Sequence, residues 1–217
     1  KAVESMLDRG PFILGPEVEA FEKAWAGYLG VKHAVGVSNG ADALYLALIA
    51  SGIKPGDEVI TQGNAYNASV TAILRAGAVP RFADIDSNTL QIDVAKIESL
   101  ITGKTRAILP VHLYGQFGDM EKLARISKKR NLKIIEDCAQ AHGAELAGKK
   151  LGSFGRVNAF SFYPTKNLGA FGDAGAVVTD DEKAAEQLRA LRNLGQVAKN
   201  EHRYLGTNMR LDPIQAT

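Results

Sequence analysis

Residues 33–52 read HAVGVSNGADALYLALIASG, and this stretch decides the fold. His33 to Val37 is a short β-type run, Ser38-Asn39-Gly40 is a turn, and Asp42 to Ser51 is a strongly apolar helical segment ended by Gly52. A strand, a glycine turn and a helix follow one another without a break, and the same order recurs along the chain.

Upstream, Val18, Phe21, Trp25 and Leu29 recur at spacings of three and four between Glu17 and Gly30, which predicts a helix with one apolar face. Downstream come a strand from Glu58 to Thr61, a helix from Ala68 to Ala76 stopped by Gly77, and a strand from Pro80 to Ala83 followed by Asp84 and Asp86. Ala107 to Val111 then leads to a helix from Met120 to Arg130, and Lys133 to Glu136 leads to Asp137. The runs Ala159 to Phe162 and Ala176 to Thr179, with an amphipathic helix from Glu182 to Arg192 ending near Gly195, complete the reading. Strands separated by helices in regular succession predict one α/β domain, in three α/β/α layers around a mainly parallel sheet. No repeat, low-complexity segment or linker interrupts it.

Composition agrees with a packed globular domain: 46% of the 217 residues are apolar and 23% are charged. The net charge of +2 is the small remainder of 26 basic and 24 acidic side chains, so the chain offers no strong field to a nucleic acid. Lys128-Lys129-Arg130 closes a helix, where cations complement the dipole. Cys138 is the single cysteine, which excludes an internal disulfide and sets the expectation of a reducing, cytoplasmic setting. No apolar run approaches the roughly 18 residues needed to span a bilayer, and no leader pattern opens the chain. The chain starts at Lys1, and Asp212 to Thr217 reads as the first turn of a further helix, so the expectation is a fragment.

In a parallel α/β sheet, ligands bind beyond the carboxyl ends of the strands, which directs attention to Ser38–Asp42, His112–Gly115, Glu136–His142 and Ser161–Lys166. Lys166 stands in SFYPTKNLG, residues 161–169, a segment of aromatics and glycines that can desolvate an amine. A loop lysine taken alone is most often idle. Asp137 is a carboxylate at a strand end and reads equally well as a helix N-cap. As a pair, the two meet the needs of pyridoxal phosphate: an amine for its aldehyde, and an acid that keeps its pyridine nitrogen protonated so that the ring can draw in electrons. Ser38 to Asp42 would point amides and a helix dipole at an anion, as phosphate sites do, and Ser161 could add a hydroxyl. Tyr66, in the turn before a helix, could stack on a flat ring, although a tyrosine packed in the core is the commoner case. Cys138 reads as a small buried side chain, His112 and His142 read as lining or supporting the site, and His33 and His202 follow no metal-ligand spacing, so no metal is expected. No G-x-G-x-x-G follows the first strand, which removes the support for a nicotinamide fold.

Along nearly its whole length the chain resembles the DegT/DnrJ/EryC1/StrS family of sugar aminotransferases. The resemblance rests on the ordered segments GPEVEAFEKAWAGYLG, VSNGADALYLAL, GDEVITQGNAYNASVTAILRAGAVPRFADID, PVHLYGQ, IIEDCAQAHGA, SFYPTKNLGAFGDAGAVVTDD and GTNMRLDPIQA. It implies the large domain of a fold type I aminotransferase over residues 1–217, with the family's small C-terminal domain absent. It further implies that Lys166 forms the Schiff base with pyridoxal 5'-phosphate and later shuttles a proton. Asp137 would pair with the pyridinium nitrogen, Gln140 with the ring hydroxyl oxygen, and Tyr66 would stack on the ring. The amides of Gly40 and Ala41 and the hydroxyl of Ser161 would hold the phosphate. Asn208 would reach the phosphate of a neighbouring subunit, which implies a homodimer with shared active sites.

The implied reaction moves an amino group from glutamate to a nucleotide-linked keto-deoxysugar. Ala41 stands where many members have threonine, and Gly172-Asp173-Ala174-Gly175 replaces a common Gly-Glu-Gly-Gly. With Lys166-Asn167-Leu168-Gly169, the latter is similar to members that aminate C3, which slightly favours C3 over C4. Two alternatives stand beside this one. A sugar 3-dehydratase of the same family would carry histidine where Lys166 stands, and a non-catalytic cofactor-binding regulatory protein would not require Lys166, Asp137 and Gln140 together.

Overall fold

The computed structural model describes residues 1–217. In chain order the elements are α1 (Ala2–Arg9), α2 (Pro16–Leu29), β1 (His33–Val37), α3 (Gly40–Ala50), β2 (Glu58–Gln62), α4 (Asn67–Arg75) and β3 (Val79–Ala83). They continue with α5 (Val94–Leu100), β4 (Thr105–Leu109), α6 (Met120–Arg130), β5 (Lys133–Ile134), β6 (Glu145–Leu146) and β7 (Lys149–Lys150). The last are β8 (Val157–Ser161), β9 (Gly175–Thr179), α7 (Glu182–Leu191), β10 (Gln196–Ala198), β11 (Glu201–His202) and α8 (Pro213–Ala216). No helix is long and apolar enough to cross a membrane.

β3, β2, β4 and β5 pair in parallel in that order, while β1, β9 and β8 pair antiparallel. Parallel bridges from Val111 to Asp137 and from Asp137 to Ala159 join the two groups. The resulting order is β3-β2-β4-β5-β8-β9-β1, with β9 alone running against the rest, and Asp137 lies on the seam. β9 is reversed relative to both neighbours, pairing antiparallel with β8 and with β1.

Side-chain alternation covers both faces of the sheet. Val35, Val37, Val59, Ala107, Leu109, Val157 and Val177 face a core shared with α3, α4 and α7. Ala34, Phe160, Ala176 and Val178 face α2 on the other side, and Ile60, Ile108 and Ile134 face α5 and α6. This is the three-layer arrangement expected. α3 carries Ala43, Leu44, Leu46, Ala47 and Leu48 buried on successive turns, since it lies between the sheet and other helices.

The helix from Met120 to Arg130 has the predicted bounds, because Asp119 caps it and Asn131 closes it in the left-handed region. α2 starts at Pro16, one residue earlier than expected, since proline at the first helical position needs no amide partner. α1, α5 and the hairpins β6-β7 and β10-β11 were not anticipated. α5 has 7 residues and each strand of the two hairpins has 2 or 3, too few for a period to register.

A buried ion pair ties the sheet edge to two helices. Arg192, just after α7, donates to Glu22 of α2 and to the Gly36 carbonyl of β1 at 2.7 Å, while Glu22 accepts the Gly36 amide at 2.7 Å. The pair anchors β1, the strand that feeds the Ser38–Gly40 turn.

Candidate active site

The carboxyl ends of β1, β2, β4, β5 and β8 meet at one edge, and the predicted residues other than Asn208 lie along it. Asp137 is 4% exposed. Its Oδ2 accepts from the Ser69 hydroxyl at 2.7 Å, and its Oδ1 accepts from the Ala139 amide at 3.1 Å. No helix begins at Asp137, so the alternative reading as an N-cap is corrected: the carboxylate closes a short turn and faces α4. Burial pushes its carboxyl above the usual range, against the Ser69 and Ala139 hydrogen bonds and the charges of His112 and Lys166. Lys166 therefore lies within electrostatic reach of Asp137.

Lys166 is half-buried in a loop that closes on itself. Its amide donates to the Tyr163 carbonyl at 2.8 Å, and the Ala170 amide donates to the Phe162 carbonyl at 2.8 Å. Beneath that loop, His142 Nε2 donates to the Ser161 carbonyl at 2.8 Å. The ring sits among Trp25, Phe160 and Phe162, and burial holds His142 below its ordinary range, so it supports the loop as a neutral packed ring.

Gly40 and Ala41 are the first residues of α3, so their amides have no acceptor within the helix. Asn39 caps the next turn by accepting the Asp42 amide at 2.8 Å. A Cβ on Gly40 would lie 2.5 Å from the Ser161 Cβ and 2.9 Å from its Oγ. Glycine is thus required for the serine hydroxyl to sit against the open helix end, which places two amides and a hydroxyl where they can take an anion.

Tyr66 is the N-cap residue of α4 and is 77% exposed, which replaces the expectation of a packed tyrosine with that of an open ring. The Ser69 amide donates to the Tyr66 carbonyl at 3.3 Å, so the turn that presents the ring also presents the donor to Asp137. Gln140 Oε1 accepts the Tyr114 amide at 2.9 Å, which leaves its Nε2 end as a donor. Asn208 stands apart. It is exposed, its backbone bridges to Asn193, and its side chain makes no hydrogen bond in the chain.

On the opposite side of the strand from Asp137, Glu136 forms a hub that the sequence did not announce. Its oxygens accept from His112 Nε2 at 3.0 Å, Gly152 at 3.0 Å, Phe154 at 2.7 Å and Gly155 at 2.6 Å. Burial works against its charge, but His112 and the amides of Gly155 and Gly152 outweigh it and hold the carboxyl below the usual range. His112, Glu136 and Cys138 lie within 4.8 Å of one another, as metal ligands would. The Glu136 lone pairs are already taken by donors, and burial pushes the Cys138 thiol well up, so this donor set suits a hydrogen-bonded hub and not an ion. Ser69 also escaped sequence reading, because a serine on the first turn of a helix carries no pattern of its own.

This mixed α/β fold around a mainly parallel sheet is the architecture of the fold type I aminotransferases. The chain belongs to the DegT/DnrJ/EryC1/StrS aminotransferase family, whose profile matches residues 1–217. It is 52% identical over 216 residues to the dTDP-3-amino-3,6-dideoxy-alpha-D-galactopyranose transaminase of Aneurinibacillus thermoaerophilus, covering 100% of this chain and 60% of that protein. It is 47% identical over 216 residues to the "Pleiotropic regulatory protein" of Geobacillus stearothermophilus, covering 100% of this chain and 58% of that one. Among solved structures, that of S. venezuelae DesV in complex with a ketimine intermediate superposes with a TM-score of 0.97 at 50% identity, covering 99% of this chain and 58% of that one. The chain thus spans about three fifths of the length of the relatives it matches.

Proposed function

We propose that residues 1–217 are the cofactor-binding large domain of a pyridoxal-phosphate aminotransferase that transfers an amino group from glutamate to a nucleotide-linked keto-deoxysugar. One observation carries the reading: a buried carboxylate, Asp137, within electrostatic reach of Lys166, beside an open helix end lined by Ser161. This donor set fits the cofactor at both ends, an acid for its ring nitrogen and an anion cradle for its phosphate.

When bound, pyridoxal phosphate supplies an aldehyde carbon that accepts amines and a ring that withdraws electrons from the substrate carbon. Lys166 Nζ would hold that carbon, and its amine would carry the proton taken from the donor's α-carbon. Asp137 holds the proton on the ring nitrogen, and Gln140 Nε2 donates to the ring oxygen. Tyr66, with its open ring, would stack on the cofactor ring. The Gly40 and Ala41 amides with the Ser161 hydroxyl bind the phosphate, and Asn208 serves the equivalent site of a second copy, so the working unit is a homodimer. C3 of the sugar is favoured as the aminated carbon, in line with the 3-amino names of relatives that share about half of the residues. The single buried thiol, Cys138, suits work in the reducing cytoplasm.

The name of the Geobacillus relative favours a second reading, a cofactor-binding regulator without turnover. An absorbance spectrum of the full-length protein with pyridoxal phosphate, before and after glutamate, separates the two. Loss of the visible band on adding glutamate, and its return on adding a keto-sugar nucleotide, is the expected outcome for the enzyme. Lys166→Ala should abolish both the lysine-linked band and turnover. Binding of the cofactor with no response to glutamate would establish the regulator instead.

A further inference from the structure

Tyr114 stands between β4 and β5 at the same sheet edge, and its backbone is unusual. Its φ of 61° and ψ of 19° lie in the left-handed region, and Gly115 follows with a φ of 72°. A bulky side chain rarely adopts that conformation, and it persists only where surrounding contacts over-determine it. Here they do: the Tyr114 amide donates to Gln140 Oε1 at 2.9 Å, and Gln91 Nε2 donates to the neighbouring Leu113 carbonyl at 3.2 Å.

The ring, however, gains nothing from this inside the chain. It is 66% exposed and takes part in no aromatic pair or cation contact. Glycine would adopt the same turn without strain, so the fold alone does not call for tyrosine. The hydrogen bond from the Tyr114 amide to Gln140 ties this turn of the backbone to a residue assigned above to the cofactor ring, and leaves the tyrosine side chain exposed beside it.

We propose that Tyr114 is a specificity-determining residue for the amino acceptor, its ring packing against the C–H face of the keto-deoxysugar. This rests on the function proposed above and adds a residue outside the cofactor contacts. A deoxysugar presents a flat run of C–H groups, which an aromatic face recognises and which glutamate lacks.

The test uses the full-length enzyme loaded with pyridoxal phosphate, as wild type, Tyr114→Phe and Tyr114→Gly. Each half-reaction is followed separately by absorbance, with glutamate as donor and a panel of thymidine-diphosphate-linked 3-keto and 4-keto deoxyhexoses as acceptors. Tyr114→Gly should raise the acceptor KM by about tenfold or more, the scale of one aromatic contact, with a threefold or smaller effect on the glutamate half-reaction. Its melting temperature should equal or exceed that of the wild type, since the strain is relieved. Tyr114→Phe should keep the acceptor KM within about threefold, because the ring and not the hydroxyl makes the contact.

Equal losses in both half-reactions would overturn the assignment in favour of a cofactor-positioning role. A lowered melting temperature for Tyr114→Gly, or an unchanged acceptor KM, would overturn it in favour of a structural role or none. A wild type that responds to glutamate but to no acceptor in the panel would sink the acceptor assignment and this inference together. A wild type that does not respond to glutamate would sink the proposed function itself.

Discussion

The Ser69 hydroxyl donates to Asp137 Oδ2 at 2.7 Å, so the first turn of α4 and the end of β5 are joined through the one carboxylate on the seam of the sheet. That hydrogen bond favours the ionised form of a group that burial drives toward the neutral one. The sign of its effect on pH dependence follows directly. Ser69→Ala should raise the Asp137 carboxyl further and leave a buried oxygen without a donor. At neutral pH the expected loss is about 1–3 kcal/mol, and it should shrink as pH falls through the raised Asp137 pKa, where the carboxyl is protonated anyway. Chemical denaturation across that range checks this; a loss independent of pH would show that the hydroxyl acts through packing alone.

Glu136 has the opposite linkage. Its folded pKa is held below the unfolded value of 4.5, so its stabilisation is complete above that value and is lost as pH falls through the folded pKa. Glu136→Ala removes the acceptor for His112 and three loop amides and should cost about 3–5 kcal/mol at neutral pH. Measured relative to each protein's own neutral-pH stability, the wild type should lose more stability on acidification than the variant, which lacks the titrating carboxyl. A variant with undiminished acid sensitivity would remove Glu136 from the account.

Breaking the Glu22–Arg192 pair should be worse than removing it whole. Arg192→Ala leaves a buried carboxylate facing only the Gly36 amide and should cost about 3–5 kcal/mol. The double change Glu22→Met with Arg192→Met should cost less than either single truncation, since no charge is then left unpaired. Simple additivity of the two single variants would contradict the idea that they act as a unit.

The anion cradle makes a steric prediction. Gly40→Ala places a methyl 2.5 Å from the Ser161 Cβ, so the serine must move or the helix must shift, at a cost of about 1–3 kcal/mol. Combining it with Ser161→Gly should recover most of the stability and none of the affinity for pyridoxal phosphate. Calorimetric binding of the cofactor to the double variant decides the matter: affinity equal to the wild type would show that Ser161 does not hold the phosphate.

How much of this could be read from residues depended on the range of the interaction. α6 was legible together with its cationic last turn, because its cap Asp119, its buried face and its closing Asn131 all lie within one segment. β5 is shorter than the apolar run around it, because pairing with β4 ends after Ile134 and only a bridge resumes at Asp137. Lys166, Asp137, Gly40 and Ser161 drew attention because each follows an apolar strand run. Ser69 did not, since its partner Asp137 lies 68 residues away, and Glu136 and Tyr114 fell inside strand-end segments without a role, since their bonds to His112 and Gln140 span 24 and 26 residues.

From residue order alone came the alternation of strands and helices, the positions where chain polarity and glycine turns open a sheet edge to a ligand, and the family. These are local properties: side-chain period, caps and short motifs are written within a dozen or so residues. Folding in three dimensions decided which lone pairs of Asp137 are occupied, which end of Gln140 remains a donor, and that Tyr114 is held open in a left-handed turn. Such facts depend on which segments the sheet brings side by side, and the burial and hydrogen-bond partners of a group exist only once those segments have met.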